Sequence, residues 1–226
     1  MGIFDQAEFE IRCEWGCEGI TRLASISDVI IIVDILSFST SVEIAVSRGA
    51  IIFPYRYKDD SALSYASSIG ADLAGNRRDG CKYSLSPKSL SGVSSNQRLV
   101  LPSPNGATLS LETRKVPTIA GCLRNASSVA KAAGKLGKRI AVIPAGEKWE
   151  ETGSLRPCLE DLIGAGAIIS ALAGHLDASF PQQTYLLYFS TQHSKGNSRN
   201  ILLPFWLGSR SKDDHRYLLW QLDRDA

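Results

Sequence analysis

Short apolar runs alternate with amphipathic stretches along the chain, and this pattern predicts alternating strands and helices. The clearest run is Val29–Val33, five consecutive β-branched residues, which is typical of a strand buried on both faces of a parallel sheet. Residues 8–24 are predicted to form an edge strand and a connection. Further strands are predicted at 50–53, 98–101, 118–121 and 140–143, and helices at 40–48, 59–69, 126–136 and 158–172.

This order of elements implies βαβ units with right-handed crossovers. We therefore expect an α/β fold with three α/β/α layers, in which helices cover both faces of a mostly parallel sheet. The 226 residues are enough for one large domain, and we treat residues 1–226 as a single domain. Residues 76–97 are predicted to form a long polar loop, a feature that is often functional. In the C-terminal part, 185–189 fits either a helix or a strand, and 213–222 fits a closing helix.

Composition and charge exclude several classes of partner. The net charge of +2 gives no reason to expect nucleic acid, and no aromatic residues are interleaved with Lys and Arg as in stacking platforms. No stretch reaches the roughly 18 apolar residues that a membrane span needs. The acidic N-terminus lacks the features of a signal peptide, and the five cysteines are scattered. These observations predict a cytoplasmic protein that binds neither nucleic acid nor membrane.

Polar side chains follow several of the predicted strands directly. Because carboxyl ends of parallel strands meet at one edge of a sheet, ligands bind there. Carboxylates and amide oxygens are hard ligands that suit Mg²⁺, and helix starts suit a phosphate. Together they favour metal-assisted phosphoester hydrolysis. The candidate residues are Asp34, Ser39, Thr40, Ser103, Asn105, Arg124, Asn125 and Glu147, with Glu160 and Asp161 at the start of the last long helix.

Each candidate also has a structural interpretation. Asp34 and Asn125 are good helix N-caps, and Asn105 before Gly106 is typical of a turn. Glu160 and Asp161 lie in a first helical turn, where the macrodipole favours acids. The functional interpretation depends on several strand ends converging, not on any one residue.

Several short motifs, in this order, resemble the 2-phosphosulfolactate phosphatase family over residues 28–170. They are Val33-Asp34-Ile35-Leu36, Ser39-Thr40-Ser41, Pro104-Asn105-Gly106, Gly121-Cys122-Leu123-Arg124-Asn125-Ala126, Ala145-Gly146-Glu147 and Leu159-Glu160-Asp161-Leu162-Ile163-Gly164-Ala165-Gly166-Ala167. The resemblance implies a Mg²⁺-dependent phosphatase that converts 2-phosphosulfolactate to sulfolactate and phosphate, a step toward coenzyme M. It also implies a three-layer α/β/α fold. Residues 179–226 match only weakly, and Ser37 stands where family members commonly carry Arg.

With this resemblance, we assign each candidate a hypothetical role. Asp34, Glu147 and either Glu160 or Asp161 hold Mg²⁺. Asn105, Asn125, Ser103, Thr40 and the backbone at Gly106 surround the phosphoryl group. Arg124 binds the second acid group of the substrate, assisted by Arg77, Arg78 or Lys88 from the long loop. The nucleophile is water, Asp34 or Ser39, with Cys122 as a more distant alternative.

Two other functions stay open at this point. One is a phosphatase for a different small phosphoester, with Ser37 marking the change in specificity. The other is an anion-binding homologue without turnover. The implied partner is a small phosphorylated acid, and a homodimer is compatible with the sequence.

Overall fold

The computed structural model describes residues 6–75, 80–176, 178, 179, 181 and 184. Strands in this part are β1 (Ile11–Cys13), β2 (Val29–Val33), β3 (Ile51–Tyr55), β4 (Asp72–Leu73), β5 (Arg98–Pro102), β6 (Thr118–Gly121), β7 (Ile140–Pro144), β8 (Glu147–Lys148) and β9 (Leu155–Arg156). Helices are α1 (Gly16–Leu23), α2 (Phe38–Ser47), α3 (Asp60–Ser68), α4 (Pro87–Leu90), α5 (Gly106–Glu112), α6 (Ala126–Leu136) and α7 (Leu159–His175), with a 3-10 turn at Ala24–Ile26.

The main sheet is parallel and has the strand order β1-β7-β2-β6. Its central strand β2 is fully buried because alternate side chains enter two different cores. Val29, Ile31 and Val33 pack with residues of α6 and α7. Ile30 and Ile32 pack with residues of α1 and α5 on the other face. The main sheet therefore lies between two helical layers, as the three-layer prediction requires.

A second parallel sheet has the order β3-β5-β4, and an antiparallel hairpin joins β8 to β9. Helix α2 supplies Phe38, Val42 and Ala45 to the core that covers β3 and β5. The same helix follows β2, so it lies between the two sheets. This placement brings the carboxyl end of β5 toward the carboxyl end of β2.

The predicted elements agree well with the structure in the main sheet and less well elsewhere. Strands β2 and β6 and helix α6 have the predicted bounds. The prediction for residues 8–24 was wrong in its second half, since residues 16–23 form α1. The loop 76–97 contains the short helix α4. Residues 185–189 and 213–222 lie outside the described residues.

Within the described part of the chain, no helix is both long and apolar enough to cross a membrane.

Candidate functional site

Asp34 lies at the carboxyl end of the central strand and is 6% exposed. Its Oδ1 accepts a hydrogen bond from the Phe38 backbone N–H at 3.1 Å, and its Oδ2 accepts one from the Gly106 N–H at 2.9 Å. The Ser103 hydroxyl also donates to Oδ2, at 3.4 Å. One carboxylate thus joins the starts of α2 and α5, and with them the two parallel sheets.

The loop after Asp34 is fixed by hydroxyl groups of α2. Ser39 is fully buried, and its Oγ donates to the Ile32 carbonyl and accepts from the Asp34 N–H, both at 3.0 Å. The Thr40 hydroxyl donates to the Ile35 carbonyl at 2.9 Å. Ser37 Oγ donates to the Leu85 carbonyl at 2.6 Å. All of these hydroxyl groups are hydrogen-bonded to backbone groups. They are therefore better suited to stabilising the loop than to attacking a substrate.

Asp161 is a second buried carboxylate at this edge, 4% exposed on the first turn of α7. Its Oδ1 accepts from the Ile35 N–H at 2.8 Å, and its Oδ2 accepts from the Gly146 N–H at 2.9 Å. Asp161 therefore connects the loop after β2 to the loop after β7. The adjacent Glu160 is only half-buried.

Asn105 and Glu147 form the exposed rim of the site. Asn105 is the residue before α5, and its Nδ2 donates to Glu147 Oε2 at 2.8 Å. Glu147 begins the β8–β9 hairpin, where it pairs across the ladder with Arg156. The pKa of the nearby Cys158 thiol is raised, mainly by burial and further by the negative charges of Glu160, Asp161 and Glu147. The charge of Arg156 lowers this pKa. The hairpin therefore lies within electrostatic reach of the acidic groups.

The two buried carboxylates have no cationic partner among the described residues. Burial is the main cause that raises the pKa of Asp34, and the charge of Glu147 adds to it. Burial also raises the pKa of Asp161 to about 7, with smaller contributions from Asp34 and Glu160. None of the four ion pairs formed among the described residues includes Asp34, Asp161 or Glu147. A bound cation is the simplest means of offsetting this concentration of negative charge.

The β6–α6 loop carries two further candidates. Asn125 Oδ1 accepts from the Cys122 N–H at 2.8 Å, and Asn125 Nδ2 donates to the Ala120 carbonyl at 3.1 Å. The Arg124 guanidinium forms an ion pair with Glu43 at 2.7 Å. Both side chains are therefore engaged with neighbouring protein groups. Three further candidates came from the long loop. Lys88 is exposed on α4, and Arg77 and Arg78 lie outside the described residues.

We tested whether the carboxylates fit a magnesium ion. Among the described residues, no group of three or more His, Cys, Asp or Glu side chains is arranged to hold a metal. Mg²⁺, however, commonly takes one or two carboxylates, several waters and substrate phosphate oxygens. Asp34 and Glu147 supply carboxylates of this kind, linked by Asn105 and Gly106. The side chains therefore fit a hydrated ion that the substrate helps to hold.

Sequence reasoning placed the correct strand ends together but missed how they are connected. The prediction that Asp161 is a metal ligand stays a prediction; what the sequence did not indicate is that both oxygens of Asp161 accept a backbone N–H, as both oxygens of Asp34 do. The sequence analysis also missed the β8–β9 hairpin. Gly146 and Gly153 were the signal in the sequence, since glycine is common in turns, and both adopt positive φ in the structure. The exposed Trp149 between them was a further signal.

The fold and the polar groups define an α/β protein with a candidate ligand site at the carboxyl edge of a parallel sheet, rich in carboxylates and backbone N–H groups. A family model for 2-phosphosulpholactate phosphatase matches residues 18–203. The chain belongs to the 2-phosphosulfolactate phosphatase family.

Two curated relatives agree with this assignment. The chain is 31% identical over 161 residues to the 2-phosphosulfolactate phosphatase of Methanothermobacter thermautotrophicus, covering 67% of this chain and 64% of the relative. It is 29% identical over 165 residues to a probable 2-phosphosulfolactate phosphatase of Carboxydothermus hydrogenoformans, covering 70% and 66%. The match spans about two thirds of the length of these relatives.

Proposed function

We propose that this protein is a Mg²⁺-dependent phosphatase that hydrolyses 2-phosphosulfolactate, or a closely related phosphorylated acid, to the hydroxy acid and phosphate. Membership of the family supports the reaction class. The observation that carries the proposal is the pair of buried carboxylates, Asp34 and Asp161, which have no cationic partner in the described part of the chain. Such a site is suited to a cation and a bound anion together.

Asp34 and Glu147 are the residues that would hold Mg²⁺, directly or through water. When bound, the ion would polarise a phosphoryl oxygen and offset the charge that develops there during hydrolysis. Asp161 keeps the position of the surrounding loops, because it fixes the backbone at Ile35 and Gly146. Asp34 also accepts two backbone N–H groups, so it would brace the site and hold the ion through its remaining lone pairs, whereas Glu147 is exposed at the rim.

The phosphoryl group is expected beside Ser103 and Asn105. The Ser103 hydroxyl and the Asn105 amide are the neutral polar groups adjacent to Asp34 and Glu147. Helices α2 and α7 begin at this edge, and their macrodipoles favour an anion there. These groups can orient the ester without adding negative charge to the site.

Water is the nucleophile that we assign. Both oxygens of Asp34 already accept backbone N–H groups, which fixes the carboxylate against the starts of two helices and restricts its approach to phosphorus. The Ser39 hydroxyl is fully buried and bonded to backbone. In the reaction, the water oxygen joins phosphorus and the bond from phosphorus to the ester oxygen breaks. A proton from water ends on the hydroxyl group of the released acid.

Phosphate release from racemic 2-phosphosulfolactate, with Mg²⁺ and then with EDTA, tests this function. We expect release that requires the metal. Release from other phosphorylated three-carbon acids, but not from 2-phosphosulfolactate, would reassign the substrate. Tight binding of the phosphoester by folded protein with no release would show an anion-binding homologue instead.

A further inference from the structure

The proposed substrate has two acid groups besides its phosphate, a carboxylate and a sulfonate, and a protein recognises such groups best with arginine. The following inference rests on the proposed function in that respect. The residues that we assign to the metal and the phosphate include no cation. A further residue must therefore balance the rest of the ligand's charge.

Three arginines of the described residues follow strands at their carboxyl ends. Arg56 follows β3 and pairs with Glu112 at 2.6 Å. Arg124 follows β6 and pairs with Glu43 at 2.7 Å. Arg156 lies on the hairpin after β7 and forms no ion pair with a carboxylate among the described residues. Of these three guanidinium groups, Arg156 is the one whose charge is still available to a ligand.

The hairpin orients Arg156 toward the rim of the site. Arg156 is the direct cross-strand partner of Glu147, and directly opposed residues present their side chains on the same face of a ladder. Glu147 on that face contacts Asn105. Gly146 allows the two strands to approach closely, since a Cβ there would lie 2.9 Å from the Arg156 carbonyl oxygen.

Trp149 holds the guanidinium group without using its donors. The Arg156 Cζ lies 5.3 Å from the centre of the Trp149 ring, and the indole is half-exposed. Stacking on a ring face fixes the plane of the guanidinium. In the described structure, Arg156 Nη1 has only a long contact, 3.7 Å, to the Cys158 thiol. The N–H groups therefore retain capacity for a ligand.

We propose that Arg156 binds the carboxylate or sulfonate group of the substrate and so sets the specificity of the site for phosphorylated diacids. The hairpin is exposed along its length, so Arg156 is reached from solvent while Asp34 and Ser103 lie deeper. A substrate with its phosphate beside Ser103 and Asn105 would extend its acid groups toward the hairpin. The sequence-based hypothesis assigned the second acid group of the substrate to Arg124; we assign it to Arg156 instead.

Equilibrium binding of sulfolactate tests this proposal, because sulfolactate carries both acid groups but no phosphate. We would compare wild type, Arg156→Gln and Arg98→Gln by calorimetry. Arg98 is a matched control, since its guanidinium also stacks on an aromatic ring, that of Phe53 at 4.5 Å, but at the first residue of β5. We expect Arg156→Gln to weaken binding about tenfold to a hundredfold and Arg98→Gln to bind as wild type does.

Steady-state kinetics separate recognition from a general structural effect. Arg156→Gln should raise KM for 2-phosphosulfolactate with little change in kcat, and it should lower kcat/KM for p-nitrophenyl phosphate, which lacks the acid groups, much less than kcat/KM for 2-phosphosulfolactate. Arg156→Lys should recover only part of the affinity, since Lys lacks the guanidinium fork. An equal fall in kcat/KM on both substrates would contradict the proposal. Sulfolactate binding that is equal in all the proteins, or absent from all, would contradict it too.

These outcomes also distinguish the inference from the proposed function. If wild type releases phosphate in a metal-dependent reaction and Arg156→Gln has an unchanged KM, the role of Arg156 is overturned but the phosphatase function is not. Binding of sulfolactate that depends on Arg156, without phosphate release by wild type, would overturn the phosphatase function and leave Arg156 as the anion-binding residue.

Discussion

Asp34 and Asp161 are carboxylates that the fold buries without a cationic partner in the described part of the chain. Each is held by two backbone N–H groups from loops that follow different strands or begin different helices. Burying a charge costs stability unless hydrogen bonds or an opposite charge compensate it. Four N–H donors supply only part of that compensation, since the pKa of both groups remains raised. This balance is typical of residues that are kept for function.

Replacing Asp34 by Asn tests whether its charge serves function rather than folding. Because burial raises its pKa in the folded protein, ionised Asp34 destabilises the fold at neutral pH. Asp34→Asn removes that cost but loses one N–H acceptor, worth about 1 kcal/mol. We expect a Tm within about 4 °C of the wild-type value, measured by calorimetry at pH 7. A much larger fall would assign Asp34 a structural role.

Titration of Asp161 makes the free energy of unfolding depend on pH. Its pKa is raised to about 7, above its unfolded value of about 4. Between these values the folded state holds a proton that the unfolded state has lost, so the contribution of Asp161 to stability falls as pH rises. The charged groups that act on it are Asp34 and Glu160.

Thermal unfolding of wild type and Asp161→Asn between pH 4 and pH 8 measures this contribution. We expect the wild-type Tm to fall relative to that of the variant as pH rises from 4 to 7, and the difference between the two to level off as pH approaches 8. Curves that are parallel throughout would show that the N–H groups of Ile35 and Gly146 fully stabilise the ionised carboxylate.

At the scale of elements, the sequence predicts the main sheet well because its strands are buried on both faces. Val29–Val33 is fully buried, so hydrophobicity alone identifies it. The strand predicted at 50–53 stops before Pro54, but β3 continues through Pro54 to Tyr55. This is tolerated because β3 is an edge strand, where a missing N–H need not break a ladder. Helix α1 was missed because Gly16 and Gly19 have low helix propensity; burial of Ile20 and Leu23 stabilises it.

The first residue of α5 must be glycine, for reasons of space. A Cβ on Gly106 would contact the buried Phe38 ring and lie 2.7 Å from Asp34 Oδ2. Gly106→Ala therefore should move α5 away from Asp34 and cost about 1–3 kcal/mol of stability, together with most of the activity. Denaturant unfolding and phosphate release measure the two effects.

Gly174→Ala is the matched control for Gly106→Ala. A Cβ on Gly174 would meet nothing within 4 Å, and Ala is the better helix former by about 1 kcal/mol. We expect it to stabilise the protein without changing its activity. If Gly106→Ala behaves like Gly174→Ala, the close approach of α5 to Asp34 has no functional importance.

At the scale of the whole molecule, three connections meet at one edge of the sheet and form the candidate site. Asp34 joins the loops after β2 and β5, and Asp161 joins those after β2 and β7. The sequence predicted that these strand ends meet, since parallel strands share an edge. It did not predict that Asn125 bonds to the backbone of Cys122 and Ala120, or that Arg124 pairs with Glu43. Those partners come from packing between elements distant in the chain, which a local pattern does not record.

Phosphate release by wild type and Asp34→Asn, side by side, tests the central claim most directly. The substrate is 2-phosphosulfolactate with Mg²⁺, and Asp60→Asn, at an exposed position in α3, is the control. We predict metal-dependent release by wild type and Asp60→Asn, and a loss of about 100-fold or more in folded Asp34→Asn. Release by Asp34→Asn at the wild-type rate would contradict the assignment of this site.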